Sequence, residues 1–290
     1  MKFQLASLCL GVLFAVTPMV PAANITWISD QTADSAGNLP DKGFVDLLTA
    51  AGHTVTRGLA ATPPTAAALN ASNLVILGRS AGSGAFDTAA ETLLWNTQVT
   101  VPLIATNSYL SRSTRLGWFS GGPTQPDQVL NPLTFSAGAV GNYLKGSYTG
   151  NSITEAITYP DASVDIRGTS LITDAPVAGG VVLATTLAGA ATANMIVSFP
   201  AGTVLTGAAA TGQILGGYRL QFIAGNRESA TAPNNTVSFA GYENLTPEGE
   251  QMFLRAVTLA LNKGVIPEAG TSSLALLAGG MLLGRRRTRH

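Results

Sequence analysis

Cysteine is almost absent: of 290 residues only Cys9 is one, and it lies in an apolar segment at the amino end. Beyond that segment, disulfides and thiol catalysis are both excluded. Histidine is nearly as scarce, with His53 and His290 alone. One histidine in the body and no cysteine rule out the usual zinc sites, and any serine nucleophile there has a single histidine as its base. Charge is sparse too: 11% of residues carry one, and 16 basic residues balance 16 acidic ones. The balance hides an asymmetry. Lys2, Arg285, Arg286, Arg287 and Arg289 sit at the two ends, as does Glu268, so Ala23 to Gly264 keeps 11 basic against 15 acidic residues. A mildly acidic body without a basic run does not suit nucleic acid as a partner. No repeat of fixed period is present, and no apolar run reaches the roughly 20 residues that span a bilayer comfortably.

What is present at the ends is topogenic. Met1-Lys2 opens a weakly charged region, Leu5 to Val16 is apolar, and Val20-Pro21-Ala22 offers small residues to a peptidase. This is the pattern of a secretory leader over residues 1–22, with cleavage expected after Ala22 or Ala23. Pro18 and Pro21 argue against a core helix there. At the other end Pro267-Glu268-Ala269 precedes an apolar segment over 272–284, expected to be a membrane helix, and then Arg285, Arg286, Arg287 and Arg289. Arginines after an apolar run hold it on the cytoplasmic side, a membrane stop.

The order of turn motif, apolar segment and basic terminus over residues 265–290 resembles the PEP-CTERM sorting signal. The family has a second proline where this chain has Ala269. The resemblance implies signal peptidase and exosortase as partners and transient residence in the inner membrane of a Gram-negative-type bacterium. It further implies a cell-surface, extracellular-matrix or biofilm protein once processed. An ordinary tail anchor is the alternative.

Between the ends, residues 23–264 are long enough for one large domain. Asn24–Ser29 reads as a strand, Asp41–Ala51 as a helix with Phe44, Leu47 and Leu48 on one face, and His53–Arg57 as a second strand. Pro64–Ala71 is a short helix, Asn73–Gly78 an apolar strand, Phe86–Asn96 a helix and Val101–Thr106 another apolar strand. Alternation of this kind, with strands apolar on both faces, predicts an α/β, doubly wound and mostly parallel sheet. From Ser111 to Asn131 the pattern gives way to Gly, Pro and polar residues. Strands at 179–186, 193–199 and 217–224 predict an antiparallel extension. Thr246 as cap, Pro247 and the acids Glu248 and Glu250 open a last helix to Asn262, with Phe253, Leu254, Val257 and Leu261 as its buried stripe.

The opening Ile-Thr-Trp-Ile-Ser-Asp30, the segment Phe44 to His53 and the strand Asn73–Gly78 resemble flavodoxin-like and class I glutamine-amidotransferase-like domains. That enzyme family carries a cysteine nucleophile on a sharp turn after a central strand, and a later histidine. Here the matching turn is Asn107-Ser108, and the later strand runs into Gly225-Asn226-Arg227. Amidotransferase chemistry therefore does not carry over.

In an open parallel sheet, ligands bind beyond the carboxyl ends of the strands. Those ends offer Asp30, Arg79, Ser80, Asn107, Asn226 and Arg227, with Arg112 and Trp118 on the loop after the fourth strand. Arg79, in Gly78-Arg79-Ser80-Ala81-Gly82-Ser83-Gly84, is suited to pair with a ligand carboxylate or phosphate. Its alternative is to close the top of the sheet by pairing with Asp30 or another acid. Trp118 and Phe119 either stack on sugars from a surface loop or plug that loop onto the core. No cofactor is expected. Gly82-Ser83-Gly84 follows the third strand and lacks the third glycine of a dinucleotide fingerprint, and the loop after Asp30 has no basic residue for a flavin. No catalytic residue is assigned. The leading expectation is a non-catalytic surface protein that recognises a polysaccharide or other polyanion. Its rivals are a polymer-directed hydrolase using Asp30 with Asp34, Asp127 or Glu228, and a Ser108–His53 hydrolase, which the opposite placement of those two residues disfavours.

Overall fold

The computed structural model describes residues 21–30, 37, 39–122, 124–128, 132–158, 166–228 and 239–267, with the side chains of 124–128, 157–158 and 166–167 outside that description. The leader up to Val20, the sorting motif from Glu268 through Ala269, the apolar segment 272–284 and Arg285, Arg286, Arg287 and Arg289 lie outside the described residues, as does Asp34. Ala22, Ala23 and Pro267 are described. Among the described residues no helix is long and apolar enough to cross a membrane.

The first half follows the expected alternation. Strand β1 (Asn24–Ser29) leads to α1 (Lys42–Ala50), β2 (Thr54–Leu59), α2 (Ala66–Asn70) and β3 (Leu74–Leu77). A 3-10 turn over Ser83–Phe86 then precedes α3 (Ala89–Leu93). The helix expected over 86–96 is thus broken, because Thr88 and Glu91 form a capping box that restarts it after Phe86. It runs on into a π-helical turn, Leu94–Gln98. Next come β4 (Leu103–Ala105) and the single turn α4 (Ser108–Ser111).

Beyond α4 the Gly- and Pro-rich composition predicts only a loop, and the structure builds more there: β5 (Thr124–Gln128), β6 (Thr134–Phe135), α5 (Ala139–Lys145), β7 (Ile157–Thr158), β8 (Ile166–Arg167) and β9 (Thr169–Ile172). The extension predicted from the later strands is β10 (Val181–Ala188) and β11 (Ala191–Phe199), and β12 (Arg219–Phe222) returns to the parallel part before α6 (Pro247–Leu261).

The strand order is β2-β1-β3-β4-β12-β11-β10-β6, with β9 on β11 and β5 on β9. β2, β1, β3, β4 and β12 are parallel, and β11, β10 and β6 continue antiparallel. This is the doubly wound α/β sheet with an antiparallel extension that the sequence predicted.

Two apolar layers cover the parallel sheet, because successive strand side chains point to opposite faces. Leu74 and Ile76 of β3 pack with Trp27, Phe44, Phe222, Phe253 and Val257 on the side of α1 and α6. Val75 and Leu77 pack with Phe86, Trp95, Trp118, Phe119 and Phe199 on the other. Of the expected α6 stripe, Phe253 and Val257 are buried, while Leu254 and Leu261 are only partly covered. The helix start is as read: Thr246 accepts from Gly249 N, with Pro247, Glu248 and Glu250 in the first turn.

Trp118 is the clearest correction. It and Phe119 are fully buried. Trp118 Nε1 donates to Asn96 Oδ1 at 3.0 Å, and its ring lies 5.5 Å from that of Phe199. The Gly-rich composition of the segment suggested a surface loop, yet a large aromatic whose N–H finds a buried acceptor gains more from the core. Trp118 therefore faces no ligand.

Candidate functional site

At the carboxyl edge of the parallel sheet, a cleft of ≈ 430 Å³ is lined by Arg79, Gly82, Ser83, Gly84, Asn107, Tyr109, Arg112 and Glu228. Three loops meet there. The first leaves β3 through Gly78, where an added Cβ would lie 2.7 Å from Trp27 Nε1, so only glycine lets the chain turn over that ring. It delivers Arg79, whose side chain is 2% exposed and pairs with Glu228 at 2.8 Å. Its guanidinium carbon stands 5.1 Å from the Tyr109 ring centroid, within cation–π range.

The second loop is the turn from β4 into α4. Asn107 is buried, and both ends of its amide are in use. Nδ2 donates to the carbonyls of Arg79 and Ala81 at 2.9 and 3.1 Å, and Oδ1 accepts from Tyr109 N at 2.9 Å. Asn107 therefore ties the first loop to the second and fixes Tyr109. Arg112, one turn on, places its Cζ 5.2 Å from the same ring and donates Nε to Tyr109 O at 3.0 Å. Burial first, and the charge of Arg115 second, pull its guanidinium below the ordinary arginine value. No carboxylate pairs with Arg112 among the described residues.

The third loop follows β12. Gly225, at φ 86°, brings this chain so close to the first loop that a Cβ would sit 2.8 Å from Arg79 Cβ. Glu228 then reaches Arg79. Burial acts to raise the Glu228 carboxyl, but the charges of Arg79 and Arg227 and hydrogen bonds outweigh it, and the group is held below the ordinary range.

Of the residues read from the sequence, the cleft gathers Arg79, Asn107 and Arg112. Asp30 serves the scaffold: its carboxylate accepts from Gly82 N at 2.6 Å and Ala61 N at 3.3 Å, tying the loops after β2 and β3. Arg79 thus meets Glu228 rather than Asp30. Asn226 is buried and holds the third loop, accepting from Gly241 N at 3.1 Å and donating to Arg227 O at 3.1 Å. Arg227 flanks Glu228 at 3.4 Å, outside the cleft lining. Ser80, Ser108 and Ser111 lie beneath the loops with buried hydroxyls that have no partner among the described residues. His53 precedes β2 at the amino edge, whereas Ser108 follows β4 at the carboxyl edge, so the two do not form a nucleophile–base pair. Burial lowers the His53 imidazole and favours its neutral form.

Sequence reasoning missed Tyr109 and gave Glu228 a role only as one of several acids. The signal for Tyr109 was its spacing to Arg112 on a helical turn, which puts ring and guanidinium on one face.

No protein-family model matches this chain, and no curated protein matches it either. Among solved structures it is similar to a ThuA-like protein of Parabacteroides merdae, at 8% identity over 86% of this chain and 94% of that one, with a TM-score of 0.49. It is also similar to a GMP synthase protein of Thermoplasma acidophilum, at 7% identity over 83% and 95% of the two chains, with a TM-score of 0.38.

Proposed function

We propose that this chain is an exported, exosortase-processed surface or matrix protein whose α/β domain binds a carboxylate-bearing ligand without turning it over. The observation that carries the binding site is Arg112 on the Tyr109 ring, a cation in a cleft with no acid of its own among the described residues. Arg79 and Glu228 neutralise each other, so the lining as a whole carries the one surplus positive charge of Arg112. A monoanion such as a uronic acid unit of an extracellular polysaccharide balances that charge, and a phosphate dianion overshoots it. A planar guanidinium also meets a carboxylate through paired N–H donors.

The absence of turnover is supported by the scaffold roles of the polar groups at the strand ends. Asp30 is engaged by two backbone N–H groups and Glu228 by Arg79, and Ser108 stands at the opposite sheet edge from His53. Export and processing rest on the two ends of the sequence.

Two experiments test this reading. Calorimetric titration of the chain with galacturonate oligomers is expected to show binding that Arg112→Ala weakens by roughly tenfold or more, the loss of one charged hydrogen bond. Binding unaffected by that substitution, or release of shortened sugars on incubation, would overturn it. Intact mass of the protein from its host should show both ends removed. Material that still ends at His290 would overturn the processing.

A further inference from the structure

The structure assigns a second acidic-sugar site, at the far antiparallel edge of the sheet between β6, α5 and the turn after α5. A cavity of ≈ 490 Å³ opens there, lined among others by Leu133, Phe135, Asn142, Lys145, Tyr148 and Thr149. The volume is in the ordinary range for small-ligand sites. It is separate from the Tyr109 cleft, with which it shares no lining residue.

Its base is aromatic and held in place. Phe135 and Tyr148 meet edge to face with centroids 5.4 Å apart. Tyr148 Oη accepts from Leu133 N at 2.7 Å, so the phenol is tethered to the strand and its ring stays half-buried. A rigid ring with one wet face suits the apolar face of a pyranose, a surface that costs little entropy to present.

The polar wall is equally well placed. Asn142 and Lys145 are three residues apart on α5, hence on one helical face. Both are exposed, and neither side chain has a bonding partner among the described residues. Arg255 of α6 fixes that end of α5. Its Nε donates to Leu144 O at 3.0 Å and its Nη2 to Lys145 O at 3.4 Å, and it packs where a side chain on Gly146 would stand, 2.7 Å from its Cζ. On the opposite rim Thr149 is bound by Glu248, whose two oxygens accept from Thr149 Oγ1 at 2.6 Å and from its N at 3.3 Å. That carboxylate is occupied, and no acid lines the cavity among the described residues, so Lys145 is its only charge there. An amide for hydroxyls, an ammonium for one carboxylate and a ring for the sugar face describe a uronic acid residue. The assignment does not rest on the Tyr109 cleft. If both sites act, one chain can hold two segments of an acidic polysaccharide.

Titration calorimetry of the full chain with tetragalacturonate tests this, with cellotetraose as the uncharged counterpart and with Asn142→Ala/Lys145→Ala and Arg112→Ala in parallel. The two α5 side chains are exposed, so the double variant is expected to melt as the wild type does. Expected is a stoichiometry of about two, falling to about one in the double variant and to about one in Arg112→Ala, with cellotetraose at least roughly tenfold weaker. A wild-type stoichiometry of about one that the double variant abolishes and Arg112→Ala leaves intact supports this site and removes the Tyr109 cleft. Stoichiometry and affinity unchanged in the double variant overturn the proposal, as does the absence of any binding. Cellotetraose binding as tightly as the acidic sugar overturns the assignment to uronates.

Discussion

Arg79 and Glu228 stand 149 positions apart and form an ion pair at 2.8 Å in which Arg79 is nearly sealed from solvent and Glu228 is about a quarter exposed. The pair joins the loop after β3 to the loop after β12, and both partners line the Tyr109 cleft. A ligand carboxylate entering the cleft therefore meets a cation that already has an internal carboxylate.

Glu228→Gln separates the two roles of this pair. Removing the charge leaves a buried guanidinium with a neutral acceptor, which is expected to cost about 1–3 kcal/mol. The same change frees Arg79 for an anion, so carboxylate binding should tighten while the melting temperature falls. Denaturant melts and calorimetry on one preparation measure both. Stability and affinity falling together would show that Glu228 does not compete with the ligand. The held-down Glu228 carboxyl also gives a pH signature. Its contribution is present above the ordinary glutamate value and is lost as pH falls through the lower folded value, a loss the Gln variant lacks.

Trp118→Ala distinguishes a core plug from a surface stacker. The ring is fully buried against Phe199, and its N–H satisfies Asn96. Truncation is expected to cost about 3–5 kcal/mol, the range for large aromatic to alanine changes in cores. Chemical denaturation measures it. A cost below about 1 kcal/mol, the size seen at surfaces, would mean that the loop leaves the core in solution.

The strands β1, β3 and β4 were legible because fully buried parallel strands are short and apolar throughout, and α6 because cap, proline and acids stand in the right order. Four of the polar residues at the strand ends were read as equivalent candidates, but Asp30 and Asn226 hold loops together while Arg79 and Arg112 face a cleft. Sequence could not separate them. The difference lies in which backbone N–H groups come within reach once Gly225, Gly241 and Asn107 have brought the loops together. The weaving of 124–172 was hidden for a related reason. Its short strands gain from pairing with distant β11 and β10 rather than from a local period.

Tyr218 should dominate the alkaline limit of stability. Burial raises its phenol from 10.0 to about 12, against a hydrogen bond with Ser198 that lowers it. Between those pH values the folded chain keeps a proton that the unfolded chain releases. Stability is therefore complete below pH 10 and falls as pH rises toward 12, by roughly 2–3 kcal/mol. Tyr218→Phe should flatten this part of the profile in urea melts taken across the range. An unchanged slope would place the phenol in water.

Arg219 offers the sharpest test of the packing beneath β4 and β12. It is fully buried and meets no acid among the described residues. Its Nη1 donates to Val101 O at 3.0 Å and Tyr218 O at 3.2 Å, and its Nη2 to Trp95 O at 2.9 Å, Asn96 O at 3.0 Å and Val99 O. Burial pushes the guanidinium down to about 9, and the ring of carbonyls at the end of the π-helical turn is what holds its charge in place. Arg219→Met removes the charge and its desolvation together but strands the carbonyls, whereas Arg219→Lys keeps the charge and loses the fork that spans them. Both are expected to destabilise, Lys by about 3–5 kcal/mol because an under-bonded buried ammonium remains, and Met by less. Equilibrium unfolding ranks them. Lys equalling wild type would show that the site needs only a positive charge, and that the planar donor array is not what closes the end of this turn.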